Sequence, residues 1–216
     1  MKIAKGSKLV FIGDSITDAG RARPAVEGLF DPLGRGYVNL VNALLGAVCP
    51  QQAIRVVNVG NGGDRSRDLP ARWQSDVLDQ KPDWLSIMIG INDVWRQFDS
   101  PLQKELHVPI GEYAATLEDL VSRTLPKLAG LVMMTPYYIE PNRQEPMRAM
   151  MDRYGAAMKK VARRHGAILV DVQAAFDQAL KTTYAGALAW DRVHPNQAGH
   201  MLIAKAFLDA VGFEWK

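Results

Sequence analysis

The run Leu9-Val10-Phe11-Ile12-Gly13-Asp14-Ser15 joins a short apolar stretch to a turn near the start of the chain. Four apolar residues ended by glycine and aspartate are typical of a buried strand that gives way to a tight loop. Two later runs have the same form: 54–57 leads into Asn58-Val59-Gly60-Asn61-Gly62-Gly63-Asp64, and 84–89 leads into Gly90-Ile91-Asn92-Asp93. We therefore expect a sheet whose strand ends carry the functional loops.

Strand and helix patterns alternate along the whole chain. Strands are predicted at 8–12, 54–59, 84–89, 130–135 and 167–171. Helices are predicted near 37–48, 67–80, 112–124, 147–165 and 196–211. The alternation predicts an α/β fold, a flavodoxin-like three-layer sandwich with a five-stranded parallel sheet in the order 2-1-3-4-5. The length of 216 residues suits a single domain over 1–216.

Smaller patterns refine this prediction. The spacing of Tyr113, Leu117, Leu120, Val121 and Thr124 predicts one apolar helix face. Pro195 followed by Asn196 is typical of a helix start. We expect the polar stretch 98–109 to form a loop over the site, and 136–142 to form a second loop after the fourth strand.

Ser15 has two candidate partners near the other end of the chain, in Trp190-Asp191-Arg192-Val193-His194-Pro195. A serine hydroxyl is a weak nucleophile unless an imidazole takes its proton and a carboxylate fixes the imidazole tautomer. Taken alone, Ser15 is more often a helix N-cap, and Asp191 a helix-start residue beside an incidental histidine. The combination favours an activated hydroxyl.

Acyl transfer also needs hydrogen-bond donors for the oxygen that becomes negative. The loops at 58–64 and 90–93 offer glycine N–H groups and the side-chain amide of Asn92. Among the glycines, Gly60 and Gly62 compete with Gly63, and Asn92 could be a turn residue. Asp14 is interpreted as structural, with its carboxylate bonding the backbone of the turn.

These blocks, in this order, resemble the marker blocks of the SGNH hydrolases, also called GDSL-type esterases and lipases. The blocks are Gly-Asp-Ser at 13–15, the glycine loop at 58–64, Gly-x-Asn-Asp at 90–93 and Asp-x-x-His-Pro at 191–195. Runs at 13–18, 81–84, 88–97 and 189–195 look most like bacterial intracellular acetylxylan esterases, the xylo-oligosaccharide deacetylases. The second block departs from the family's usual Ser-Gly-Asn-Thr or Ser-Gly-Asp-Thr, because it reads Gly62-Gly63-Asp64-Arg65.

The resemblance implies a serine esterase that removes acetyl groups from short xylo-oligosaccharides through an acetyl-enzyme. It makes Ser15 the nucleophile, His194 the base and later the acid, and Asp191 the group that orients His194. The implied oxyanion hole consists of the Ser15 and Gly63 N–H groups and the Asn92 amide. The resemblance also implies a homo-oligomer and no cofactor.

Trp95 and Trp190 are candidate platforms for a sugar ring, although most tryptophans are structural. We expect no metal site, since His107, His165 and His200 are scattered without carboxylate or cysteine partners at ligand spacing. Cys49 is the only cysteine, so no intrachain disulfide is expected, and we interpret it as a half-buried core residue.

The charge pattern favours no macromolecular partner. A net charge of +3 and a basic run at 159–165 fit a solvated helix end better than a nucleic-acid surface. We expect no membrane contact and a cytoplasmic location, because neither a membrane-spanning stretch nor a signal peptide is evident.

Two other functions stay open. The same fold serves lysophospholipases and thioesterases. A non-catalytic carbohydrate-binding module is the second alternative, although it would not need a complete nucleophile system. A phosphate-binding role is disfavoured, since acidic Asp14 sits in the first loop.

Overall fold

A computed structural model describes residues 1–25, 27 and 32–215. Five parallel strands form one sheet in the order β2-β1-β3-β4-β5, which confirms the predicted topology. The strands are β1 (Lys8–Gly13), β2 (Arg55–Asn58), β3 (Trp84–Met88), β4 (Gly130–Met134) and β5 (Ile168–Val170). Each predicted strand is present, with its ends moved by no more than one residue, whereas the single domain over 1–216 stays a prediction.

Helices cover the sheet on both faces. The α-helices of the described residues are α1 (Ser15–Asp18), α2 (Tyr37–Val48), α3 (Leu69–Trp73), α4 (Ile91–Asp99), α5 (Ile110–Thr124), α6 (Pro146–Arg164), α7 (Val172–Ala179) and α8 (Gln197–Ala210). Helices α2, α7 and α8 pack together, as do α4, α5 and α6, and both groups contact the strands. Because the strands are buried on both faces, they read as continuous apolar runs. None of the described helices is both long and apolar enough to cross a membrane.

Three helices were not predicted from sequence: α1, α4 and α7. The predicted tight loop over 90–93 is wrong for its last three residues. Gly90 alone makes the turn, at a φ of 133° that side-chain-bearing residues rarely adopt, and α4 begins at Ile91. The predicted helix over 67–80 is a 3₁₀ turn at Ser66–Asp68, then α3, then a π-helical turn at Gln74–Leu78.

Two local predictions are confirmed. The predicted face of α5 is buried: Tyr113, Leu117, Leu120, Val121 and Thr124. Asn196 is the N-cap of α8, and its side chain accepts a hydrogen bond from the Gly199 N–H at 3.1 Å. The N-terminal end of α8 is thus fixed.

Strand β1 lies between β2 and β3. Its residues from Leu9 to Ile12 are fully buried, and the Phe11 ring contacts Tyr37 and Phe207 from α2 and α8. The register pairs Phe11 with Asn58 of β2, and Gly13 with Met88 of β3. The carboxyl ends of these three strands therefore lie side by side, and the loops that follow them share one edge.

His200 joins α8 to the start of α2. Its side chain is 8% exposed, and Nδ1 accepts a hydrogen bond from the Tyr37 N–H at 3.2 Å. Burial, with a smaller contribution from nearby His194, lowers the pKa of His200 to about 4. The imidazole is therefore neutral at pH 7 and can act as the acceptor that the helix start needs.

We expect this contact to make the fold acid-sensitive. The His200 pKa in the fold lies below the ordinary 6.5, so the unfolded chain takes up the proton first as the pH falls. The contribution of neutral His200 to the free energy of unfolding is complete above pH 6.5. It falls by about 3 kcal/mol as the pH drops toward 4. Urea unfolding at several pH values should show a shallower loss in His200→Gln. An equal loss in both proteins would contradict the assignment.

Candidate active site

Ser15 lies immediately after β1, at the first position of α1. Asp14 is the N-cap, and its carboxylate accepts a hydrogen bond from the Ile16 N–H at 3.0 Å, which is the structural role expected for it. The Ser15 hydroxyl lies 2.9 Å from Nε2 of His194. The two residues are 179 positions apart in the sequence, so the fold alone brings them together.

Asp191 completes the chain of hydrogen bonds. Its Oδ2 lies 2.6 Å from Nδ1 of His194, while Oδ1 accepts from the Val193 and His194 N–H groups at 2.9 and 2.7 Å. Burial opposes ionisation of Asp191, but these three hydrogen bonds outweigh it and hold its pKa below the usual range. An ionised Asp191 makes Nδ1 the donor, which leaves Nε2 of His194 free to accept the Ser15 proton.

The loop that carries this pair is held in an unusual conformation. Arg192 adopts a φ of 63°, in the left-handed region that costs a side-chain-bearing residue roughly 1–3 kcal/mol. Its guanidinium pairs with the buried carboxylate of Glu140, and its carbonyl accepts from the Ile139 N–H at 2.9 Å. Tyr137 donates its hydroxyl to the Val193 carbonyl at 3.0 Å. The predicted loop at 136–142 is therefore the brace of the Asp191–His194 loop.

The glycine loop after β2 lies against α1. Asn58 donates from its side chain to the Thr17 and Leu33 carbonyls at 2.7 and 2.9 Å and accepts from the Gly60 N–H at 2.9 Å. A Cβ at Gly60 would lie 2.3 Å from the backbone nitrogen of Asp18, so only glycine fits this approach. The loop is thus docked on the helix that starts with Ser15.

The N–H groups of this loop have different partners. Asn61 donates to the Gly13 carbonyl at 3.0 Å, and Gly62 donates to the Asp18 carboxylate at 3.2 Å. Within the part of the chain that the structure describes, the N–H groups of Gly63 and Ser15 meet no protein acceptor. Among the three candidate glycines, this favours Gly63 as the donor to a bound oxyanion.

The departure of Gly62-Gly63-Asp64-Arg65 from the family's usual block does not leave the loop without support. Asp64 accepts from the Asn61 side chain at 2.6 Å and from Nε of Arg72 at 2.6 Å. Arg72 also donates to the carbonyls of Val59 and Gly13 at 2.6 and 3.0 Å. One arginine therefore ties the ends of β1 and β2 to the glycine loop that follows β2.

Arg65 forms an ion pair with Asp68 and donates to the Leu106 carbonyl at 3.1 Å. The segment predicted as an irregular loop over 98–109 thus packs against the residues that follow the glycine loop. The predicted loop over 98–109 contains helical residues at two places. Phe98 and Asp99 complete α4, and Lys104–Leu106 forms a 3₁₀ turn.

Asn92 lies in the first turn of α4 and is 2% exposed. Its Nδ2 donates to the Asp64 carbonyl at 3.0 Å, so the amide reaches the glycine loop. Asp93 accepts from the Ser66 N–H and hydroxyl, and Gly90 is the N-cap of α4. Sequence reasoning missed the Asp93–Ser66 contact because Ser66 lies outside the four blocks and 27 positions before Asp93.

Buried carboxyl groups surround the turn. Burial, opposed in part by hydrogen bonds, raises the pKa of Asp93 to about 6. Burial also raises the pKa of Asp14 to about 7, with smaller contributions from the charges of Asp93 and Asp64. These groups serve as hydrogen-bond acceptors for the turn in surroundings that disfavour negative charge.

The two candidate tryptophans lie in different environments. The Trp95 ring is half-buried, and its centroid lies 5.8 Å from that of His194 at an interplanar angle of 60°. Trp190 is 95% exposed, so the alternative that it belongs to the core is wrong. Cys49 is half-buried, as expected, and the described residues include no group of three or more His, Cys, Asp or Glu side chains placed to hold a metal.

Comparisons with known proteins agree with this geometry. Residues 11–202 match the GDSL-like Lipase/Acylhydrolase family. The chain is 60% identical over 215 residues to an acetylxylan esterase of Geobacillus stearothermophilus, covering 100% of this chain and 98% of the relative. The crystal structure of Axe2, an acetylxylan esterase from the same bacterium, matches with a TM-score of 0.98, 60% identity and the same coverage. Axe2 structures include catalytic mutants in which a serine, an aspartate or a histidine is replaced by alanine.

A second solved structure is similar over its whole length. LAE5, an alpha/beta hydrolase enzyme from the metagenome of Lake Arreo in Spain, has a TM-score of 0.99 and 57% identity, with 100% of both chains covered.

The brace on Arg192 generates a prediction. Glu140→Gln removes the charge that holds Arg192 in its left-handed conformation, so the alignment of Asp191 and His194 should loosen. We expect covalent labelling of Ser15 by a fluorophosphonate to slow roughly tenfold. Labelling at the wild-type rate in a folded Glu140→Gln protein would show that the brace is dispensable.

Glu118→Gln is the matched control for this experiment. Glu118 lies on α5, away from the Asp191–His194 loop. Its carboxylate pairs with His165 at 2.8 Å and with Arg164 at 3.2 Å, at the end of α6. We expect its substitution to leave the labelling rate unchanged.

Proposed function

The chain belongs to the GDSL-like lipase/acylhydrolase family, and from this premise we propose that it is a serine esterase that removes acetyl groups from short xylo-oligosaccharides. The observation that carries the proposal is the unbroken hydrogen-bond chain from Asp191 through His194 to Ser15 at the end of β1. The substrate class is supported by 60% identity, over the whole chain, to a protein named acetylxylan esterase.

The reaction we propose begins with attack of the Ser15 oxygen on the acetyl carbonyl carbon. Nε2 of His194 takes the hydroxyl proton as the new C–O bond forms. The carbonyl oxygen becomes an oxyanion, which the N–H groups of Ser15 and Gly63 and the Nδ2 amide of Asn92 stabilise. Collapse of the tetrahedral intermediate breaks the bond to the sugar oxygen, which leaves as a hydroxyl group with the proton from His194.

The second half repeats these steps with water. His194 takes a proton from a water molecule whose oxygen attacks the acetyl-enzyme, and the same donors stabilise the second oxyanion. Acetate leaves, and Ser15 regains its proton from His194. Ionised Asp191 stabilises the imidazolium in both halves, which fits its lowered pKa.

The other functions considered from sequence are not favoured. A lysophospholipase or thioesterase would share the same nucleophile, but the relative that matches the whole chain is named for acetylxylan. A non-catalytic carbohydrate-binding module would have no use for a serine hydroxyl placed 2.9 Å from an oriented imidazole.

We also propose that the protein is a homo-oligomer and that Trp190 lies in the contact between copies. The segment 184–190 exposes two large aromatic residues, Tyr184 at 74% and Trp190 at 95%. Burying one such ring removes roughly 150–250 Å² from water, which favours association by several kcal/mol at about 25 cal/mol per Å². A cytoplasmic location is part of this proposal, is supported by the resemblance to intracellular deacetylases, and is tested by cell fractionation.

The function is tested with acetylated xylobiose and p-nitrophenyl esters. We expect NMR to show release of acetate with the xylobiose backbone intact, and kcat/KM to fall from acetyl to butyryl to octanoyl esters. A closed acetyl pocket excludes added methylenes, whereas an acyl groove would gain about 0.8 kcal/mol for each one buried. A maximum at octanoyl would favour the lipase-type alternative. Ser15→Ala is the matched control and should lose on the order of 10³-fold in rate.

The oligomer is tested with Trp190→Ala. Light scattering should report a smaller particle than wild type, while kcat for p-nitrophenyl acetate stays within about twofold. If the particle mass is unchanged and only KM for acetylated xylobiose rises, Trp190 contacts the sugar and the interface role is wrong. Ser100→Ala, a change at a half-buried position outside the segment 184–190, should leave both quantities unaltered.

A further inference from the structure

The side-chain amide of Asn92 is held at both of its ends. Nδ2 donates to the Asp64 carbonyl at 3.0 Å, while Oδ1 accepts from Nη2 of Arg96 at 3.2 Å. Arg96 lies four residues later on α4, so it sits one turn along the same helix face. Asn92 is 2% exposed, which leaves few other partners to fix its orientation.

This pair of contacts allows one orientation of the amide. Rotating it by 180° would set the NH₂ group against the guanidinium, donor against donor. The same rotation would set Oδ1 against the Asp64 carbonyl, acceptor against acceptor. A buried polar group left facing a like group costs roughly 1–3 kcal/mol. Arg96 and the Asp64 carbonyl therefore act together as a lock on the direction of Nδ2.

We propose that Arg96 is a positioning residue that fixes the Asn92 amide as an oxyanion donor. The inference rests on the proposed function, in which the second hydrogen of Nδ2 stabilises the oxyanion. Donors contribute most when they are already aimed at the place where charge develops, because no reorganisation then accompanies the reaction. The positive charge of the Arg96 guanidinium beside Oδ1 also polarises the amide and strengthens Nδ2 as a donor.

Arg96 is itself held in place. Its guanidinium forms an ion pair with Asp99 and lies 4.8 Å from the centroid of the Trp95 ring. The side chain is 28% exposed, so it is only partly open to solvent. A cation stacked on an aromatic face and paired with a carboxylate loses little further freedom when it contacts Asn92.

Two other roles for Arg96 make different predictions. Arg96 could contact the sugar directly, in which case its loss would raise KM. It could also act through Trp95, whose ring lies next to His194, and its effect would then be independent of Asn92. A double-mutant cycle separates these roles, because two residues that act as a unit give non-additive effects.

The cycle compares wild type, Arg96→Met, Asn92→Ala and the double variant with p-nitrophenyl acetate. Arg96→Met keeps an unbranched, flexible stem but shortens the side chain and removes the donor and the charge. We expect Asn92→Ala to lower kcat roughly 10²–10³-fold and Arg96→Met to lower it roughly tenfold, each with KM within about twofold. In the Asn92→Ala background, Arg96→Met should have no further effect.

Arg123→Met is the matched control. Arg123 lies on α5, pairs with Asp119 at 3.3 Å and has no part in the site, so this variant should keep the wild-type kcat. Thermal melting of all variants checks that each is folded. A general loss of stability would lower kcat whether or not Asn92 is present, whereas the positioning role predicts a loss only when Asn92 is present.

The possible failures are distinguishable. If Arg96→Met lowers kcat by the same factor with and without Asn92, the positioning role is wrong while the oxyanion assignment stands. A rise in KM alone for Arg96→Met would place Arg96 on the substrate and also overturn the proposal. If Asn92→Ala leaves kcat unchanged, the oxyanion assignment in the proposed function fails, and the role of Arg96 fails with it.

Discussion

The parallel pairing of β1 with both β2 and β3 is the constraint on which the site depends. Parallel strands end at the same edge of a sheet, so the residues that follow Gly13, Asn58 and Met88 are brought together regardless of their distance in sequence. Strand β1 is buried on both faces, and a slip of one residue would exchange its two apolar faces and break the pairing on both sides. The position of Ser15 is therefore set by the core before any loop contributes.

The loops at that edge are fixed by charged groups from outside them. Arg72 joins the ends of β1 and β2 to Asp64, and Glu140 holds Arg192 where the chain turns through the left-handed region. Arg72 and Glu140 both lie on segments that take no part in the proposed chemistry. This division suits a site that must be preoriented, because the strain of the Asp191–His194 loop is offset by contacts that the reaction does not disturb.

Sequence reasoning located the strands well because each contains consecutive apolar residues next to turn residues, and such stretches are informative without knowledge of the partner strand. It failed for α4, since Gly90-Ile91-Asn92-Asp93 has the composition of a turn although only Gly90 makes one. It brought Ser15 and His194 to one place correctly, while their catalytic roles stay predictions. The braces could not be found in this way, because the Glu140–Arg192 pair spans 52 residues and depends on how β4 and the last loop meet.

The surroundings of the turn explain why donor orientation matters here. Burial raises the pKa values of Asp14 and Asp93, which lie beneath the turn that carries Ser15. These carboxyls offer no positive charge to an oxyanion that forms beside the turn, so dipoles aimed at it must supply the stabilisation. An amide free to rotate would present its oxygen part of the time and add to the repulsion. In the proposed reaction, the Arg96 guanidinium beside Oδ1 of Asn92 opposes the wrong orientation of the amide and strengthens Nδ2 as a donor in the right one.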